Sequence, residues 1–291
     1  MSEKLSDFFT IIIVVSMMIW GGSWVSAKAI AGSYDPFILT FLRFFVSAVS
    51  FIPLIIYMKL NLFLNRETIK YVALGAVSMG LYFYLFFKGL ETGLAGVAGV
   101  FVTSLMPIFT LLLSKILFKK SFRKVDYIGI FLGFIGGAII IKFWQITPDN
   151  IIKSGNIYFL FCPLLWAIVT ISSEKSVAKI SPLIFSFYCY LFCSVLFFML
   201  SLNKEIGSVL TGGLKLWGNI VYLAIISSTI ATTAYFYATK KISSYRASSF
   251  AFIVPASSLI LSVIFLGEKP DVATLSGGLI SVFATYLINS K

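Results

Sequence analysis

Arg43 is the one charged residue set deep inside a long apolar run of this sequence, seven residues past Pro36. A charge at membrane depth costs at least a few kcal/mol, so such residues usually face a cavity or a partner. A guanidinium in that setting can hold a carboxylate through two parallel hydrogen bonds. The plainer alternative is that Arg43 snorkels toward the outer interface or braces a neighbouring helix end.

Aromatic residues that also carry a polar handle form the next group. Trp20, Ser23, Trp24 and Trp166 could line a cavity for an amphipathic solute, or the tryptophans could anchor at the interface. Ser23, in a Gly-rich stretch, could equally join two helices. Tyr82, Tyr84, Tyr235 and Tyr237 add hydroxyls to aromatic surface, the usual make-up of a small-molecule pocket. Pro107 and Pro255 fall in the middle of two apolar runs, where proline removes a hydrogen bond and kinks a helix. Paired interruptions point to a binding site or a hinge, or to a packing kink alone.

Other chemistry is missing. The chain has no histidine, which excludes His-based metal sites and His acid–base catalysis. Cys162, Cys189 and Cys193 lie in apolar runs without a CxxC, and read as inert thiols. The P-loop, HExxH, GxSxG and DxDG patterns are absent. No enzyme, metal or cofactor is expected. No Asp or Glu occupies the middle of a run, which argues against a proton-driven or cation-exporting pump. Glu91, three residues from Lys88, suits an ion pair, and Glu268 and Asp271 read as boundary charges.

These residues sit in a chain of 291 residues, 59% hydrophobic and 12% charged, with mean hydropathy +0.99. Soluble domains carry about 25% charged residues, so this chain is neither a soluble domain nor disordered. Its apolar runs cover about 8–30, 36–58, 68–90, 95–118, 125–143, 155–173, 181–201, 216–239, 246–266 and 272–289. Each is close to the roughly 20 residues that a spanning helix needs. The first run is too long for a signal-peptide core, and no A-x-A site follows it. Barrel-type alternation is absent, so the lipid bilayer is spanned by helices.

The net charge of +12 comes without a basic face, so no nucleic-acid partner is expected. In a membrane protein it sets topology. Ten spans put both termini on one side. With cytoplasmic termini, 15 Lys and Arg fall inside and 7 outside, and the run Lys119 to Lys124 is the largest single contributor.

The two halves resemble each other. Trp20-Gly21-Gly22-Ser23-Trp24 corresponds to the stretch from Trp166 at an offset of 146, and Asp35-Pro36 to Ser181-Pro182. At an offset of 148, Pro107 meets Pro255, and Gly129, Gly133 and Gly137 meet Gly277, Ser281 and Thr285. The repeats cover 8–143 and 155–289, with five spans each. An odd number inverts the second half, the architecture of many secondary carriers. The small-residue faces read as packing within a monomer, with a homodimer interface as the alternative. A channel, which normally builds its pore by oligomeric symmetry, fits less well than a carrier. A lipid-acting enzyme would need clustered carboxylates that are not found.

With these residues in view, the chain resembles the drug/metabolite transporter superfamily, and within it the ten-helix EamA-type transporters. The resemblance rests on Trp20-Gly21-Gly22-Ser23, Arg43-Phe44, Ser248-Ser249, Pro255, Leu266-Gly267-Glu268 and Gly277-Gly278. It departs where Lys119-Lys120 replaces the Gly-Glu expected at the end of span 4. The resemblance implies export or exchange of small-molecule substrates, often amino acids, by alternating access. It also implies a central cavity lined by spans 1, 3, 4, 6, 8 and 9. The alternative is export of larger amphipathic metabolites, nucleoside derivatives or drugs. The expected fold is an all-α integral membrane protein of ten helices in two inverted repeats, multi-pass in the inner membrane.

Overall fold

The computed structural model describes residues 3–93, 95–119, 121–140, 142–145, 147, 156–257 and 272–290. Among these residues ten main helices follow one another, with short 3-10 helices at Phe143–Gln145 and Ile206–Thr211 between them. They are α1 Glu3–Ile30, α2 Pro36–Tyr57, α3 Arg66–Thr92, α4 Ala95–Phe118 and α5 Lys124–Ile140. In the second half come α6 Cys162–Val177, α7 Pro182–Ser201, α8 Gly213–Ile242, α9 from Ser244–Ser249 onward, and α10 Val272–Asn289. No sheet forms among the described residues. Among the described residues, seven helices are long and apolar enough to cross a membrane: α1 to α4 and α6 to α8, α6 being counted with the short 3-10 helix before it. The chain is an all-α membrane protein.

Local chemistry starts these helices where the sequence suggests. Asp35 caps α2 by accepting from Phe37 N at 2.8 Å, with Pro36 in the first turn. Ser181 does the same for α7, accepting from Leu183 N at 3.3 Å ahead of Pro182. The correspondence of Asp35-Pro36 with Ser181-Pro182 is thus one of function, a capping side chain followed by a proline that suits the first helical turn. At the same end of the first hairpin, Lys28 Nζ donates to the carbonyls of Leu90 at 2.7 Å and Gly93 at 3.0 Å, where α3 ends. A lysine there satisfies helix-end acceptors that lack partners in the helix itself. Lys88 and Glu91 form the expected ion pair at 2.6 Å.

The packing is symmetric between halves. α2 lies along α7 and α5 along α10, each pairing a helix with its counterpart. The α3–α6 contact is matched by α8–α1, and α3–α7 by α8–α2. The α5–α10 pair is the closest. A Cβ built on Gly136 would stand 2.7 Å from the Gly277 carbonyl oxygen, and one on Gly277 2.6 Å from that of Gly136. Only glycine permits this approach. The small-residue face thus packs within the chain, but in a different register from the sequence pairing. Gly129 meets Ile288 of α10, whereas Gly133 meets Phe252 and Gly137 meets Ser104. Small faces on α5 serve three neighbours because the helix is wedged among them.

Three spans differ from their expected form. The sixth begins as a 3-10 turn at Asn156–Leu160 and becomes α-helical only at Cys162, where Pro163 favours a helix start. It then runs on to Val177, so Glu174 and Lys175 are helical. The eighth is π-helical from Tyr222–Thr232 between two α-helical stretches. The ninth is broken by a 3-10 turn at Phe250–Phe252, and residues 253–257 are helical again. Lys120, Lys153, Leu266, Gly267, Glu268, Lys269, Asp271 and Lys291 lie outside the described residues.

Candidate functional site

A cavity opens where α1, α3, α4, α6 and α8 converge beside α2. Its wall takes Trp20, Ser23 and Trp24 from α1 and Arg43 from α2. Tyr82, Phe83 and Phe86 come from α3, and Val102, Thr103 and Met106 from α4. Trp166 of α6 and Ser227 and Thr232 of α8 complete it. Every one of these side chains except half-exposed Trp20 is buried. The cavity has a volume of about 430 Å³, part of it open to the outside.

Arg43 is 2% exposed. Its Nε donates to Ser228 Oγ at 3.1 Å and its Nη2 to Ser227 Oγ at 3.3 Å. The guanidinium carbon lies 4.0 Å from the centre of the Phe83 ring, a cation–π contact. Nη1 is buried without a hydrogen-bond partner. Among the described residues no carboxylate pairs with Arg43. Snorkelling is therefore not what this side chain does. It turns into the bundle and ends on neutral hydroxyls.

Those hydroxyls come from the π-helical part of α8, and the local sequence explains it. Ser228 Oγ donates to Leu223 O at 2.9 Å, Thr229 Oγ1 to Ala224 O at 3.0 Å and Thr232 Oγ1 to Ser227 O at 2.9 Å. Each bond reaches five residues back, the spacing of a π-helix. Such segments are rare and recur at functional sites. The widened turn is also fastened from outside. Trp20 Nε1 donates to Thr232 Oγ1 at 3.2 Å, Ser23 Oγ to Ser227 Oγ at 2.7 Å and Tyr190 OH to the Ser228 carbonyl at 3.1 Å. Sequence reasoning missed Ser227, Ser228 and Thr232. The signal was available: Ser227-Ser228-Thr229 and Thr232-Thr233 crowd hydroxyls into an otherwise apolar span.

The aromatic candidates divide. Trp20 and Trp166, counterparts in the two halves, meet edge to face at 5.1 Å. Tyr82 stands 4.8 Å from Trp166, and Trp24 4.7 Å from Phe86. Tyr235 is fully buried behind this wall, its ring 4.9 Å from Trp20 and its hydroxyl 3.0 Å from Thr170 Oγ1. Tyr84 and Tyr237 lie outside the wall. Tyr84 stacks on Phe37 at 4.5 Å, and Tyr237 is 43% exposed beside Lys241. Adjacent tyrosines at i and i+2 point to different sides of a helix, so one of each pair turns away.

The prolines divide as well. Pro107 is inside continuous α4, where its ring removes the amide that would bond the Thr103 carbonyl. Thr103 lines the cavity. Pro255 instead sits in the first turn of the helical stretch after the 3-10 break, and α9 gives the wall no residue among those described. Phe252 packs against Gly133 of α5, and Ser257 reaches the Met17 carbonyl of α1 at 3.4 Å. Among the described residues, span 9 adds nothing to the wall, and α2 adds Arg43. The three cysteines are buried free thiols, and Cys193 Sγ donates to the Ala76 carbonyl at 3.1 Å.

Known proteins match over nearly the whole length. A transporter of uncharacterised function from Archaeoglobus fulgidus is 23% identical, with 97% of each chain aligned. The uncharacterised inner membrane transporter YedA of Escherichia coli is 25% identical over 93% of this chain and 87% of its own. A solved crystal structure superposes with a TM-score of 0.79 over 97% of this chain and 96% of that one, at 19% identity, and shares the fold. Residues 8–142 and 153–290 each match the EamA-like transporter family. This chain belongs to the EamA-like transporter family and is a multi-pass membrane transporter, not an enzyme.

Proposed function

We propose that the protein is a secondary carrier that exports or exchanges small metabolites, amino acids and related compounds foremost, by alternating access through the Arg43 cavity. The carrying observation is that both halves contribute to the wall of one cavity, where the counterpart residues Trp20 and Trp166 are in contact. On this reading, five helices in each half invert the second half relative to the first. The exchange of packing partners between halves supports that reading, since two related but inverted units can trade inward-open and outward-open shapes. A small substrate is the reading that a cavity walled by closely set aromatic side chains supports.

The carrier acts as a monomer in the cytoplasmic membrane with both termini inside. The Lys and Arg excess supports the orientation, and the likeness to an inner membrane transporter of Escherichia coli supports the membrane. The test is a melting-temperature screen of detergent-purified protein against amino acids, amines, nucleosides and organic acids. A ligand at 100 times its Kd stabilises by about 2.7 kcal/mol. Stabilisation by small solutes supports the reading. Stabilisation by nucleosides or drugs alone overturns the size class.

A further inference from the structure

We infer that the cavity selects a small monocarboxylate with an apolar or aromatic tail over the matching zwitterion, and that Arg43 holds the carboxylate. The inference rests on the carrier reading but departs from its amino-acid preference, placing monocarboxylates ahead of amino acids among the small metabolites. Arg43 brings one positive charge into the bundle, and no acidic side chain among the described residues offsets it. Two of its nitrogens are committed to Ser228 and Ser227, which fix the plane of the guanidinium. The third, Nη1, is buried without a partner. A buried donor left open is costly, and a charged one more so. A carboxylate is planar, accepts at both oxygens and carries the one negative charge that brings the site to neutrality.

The rest of the wall decides between anions. Trp20, Tyr82, Phe83, Phe86 and Trp166 offer aromatic surface to a tail. For an ammonium group the wall offers hydroxyls of Ser23, Thr103, Ser227 and Thr232, but no carboxylate. An amino acid would leave the occupied site with a net positive charge in a low-dielectric interior. A monocarboxylate leaves none. A dicarboxylate would bring a second negative charge with no second cation to receive it.

The experiment compares three compounds with one skeleton: 3-phenylpropanoate, phenylalanine and 2-phenylethylamine. Binding to purified wild type is measured by calorimetry. The expected order is anion above zwitterion by about tenfold or more, with no binding of the amine. In Arg43→Gln, the anion loses its advantage. Arg43→Lys retains charge without the fork, guards against a folding artefact, and should keep part of the preference. Equal or tighter binding of phenylalanine overturns the inference, as does an anion affinity unchanged in Arg43→Gln. Binding of none of the three also overturns it. The carrier reading is judged apart from this, by whether any small solute shows saturable exchange in proteoliposomes.

Discussion

Arg43 Nε donates to Ser228 Oγ across 3.1 Å, and the same hydroxyl donates five residues back to the Leu223 carbonyl at 2.9 Å. The guanidinium is thereby tied to the hydroxyl that shapes the π-helical turn. Replacing Ser228 with Ala strips an acceptor from a buried cation, at a cost of about 1–3 kcal/mol. The expected outcome is a lower melting temperature and weaker binding of 3-phenylpropanoate, with Ser228→Thr close to wild type. Unchanged values in Ser228→Ala would show that the bond positions nothing.

Pro107 withholds an amide from the Thr103 carbonyl at the cavity wall. Pro107→Ala restores that bond, and an interior proline can cost a helix about 3 kcal/mol. The variant is expected to melt at a higher temperature and to exchange substrate more slowly, because α4 loses its point of bending. Faster exchange in the stiffened helix would remove Pro107 from the moving parts.

Gly136 and Gly277 hold α5 against α10 at backbone distance. A leucine at Gly136 has nowhere to go, and overpacking of this kind costs about 1–3 kcal/mol or more. Gly136→Leu should lower the melting temperature, whereas Gly218→Leu, where a Cβ meets nothing within 4 Å, should leave it near wild type. Equal stability of the two variants would contradict the packing.

Among the described residues the cavity wall contains no Asp or Glu, and arginine stays charged throughout the physiological range. A simple carboxylate titrates near pH 4, so it is ionised from about pH 6 to pH 8. Exchange of 3-phenylpropanoate should therefore stay flat across that interval, and a proton gradient should not drive accumulation. Gradient-driven accumulation in proteoliposomes would require a titrating group in the translocation path.

Much of this was legible in the sequence because membrane helices announce themselves by length and apolar composition. The capping pairs Asp35-Pro36 and Ser181-Pro182 even mark where helices start. Arg43 stood out because a lone charge in an apolar run is costly wherever it points. Its direction was not legible, since snorkelling and cavity contact need the same residue at the same depth. Nor was the π-helical turn, which depends on hydroxyls bonding five residues back in competition with the ordinary ladder. The tyrosine pairs failed for a simpler reason. Tyr82 and Tyr84 differ by two positions, and which one faces the cavity is set by the rotation of α3, which its neighbours decide.

The most direct test of the account is counterflow in proteoliposomes of the wild-type protein. Labelled 3-phenylpropanoate is supplied outside, with or without the unlabelled compound inside. A carrier that alternates around one cavity should show saturable uptake, accelerated by internal substrate and abolished in Arg43→Gln. Uptake that rises linearly with concentration and ignores the internal compound would contradict alternating access and point to an open pore.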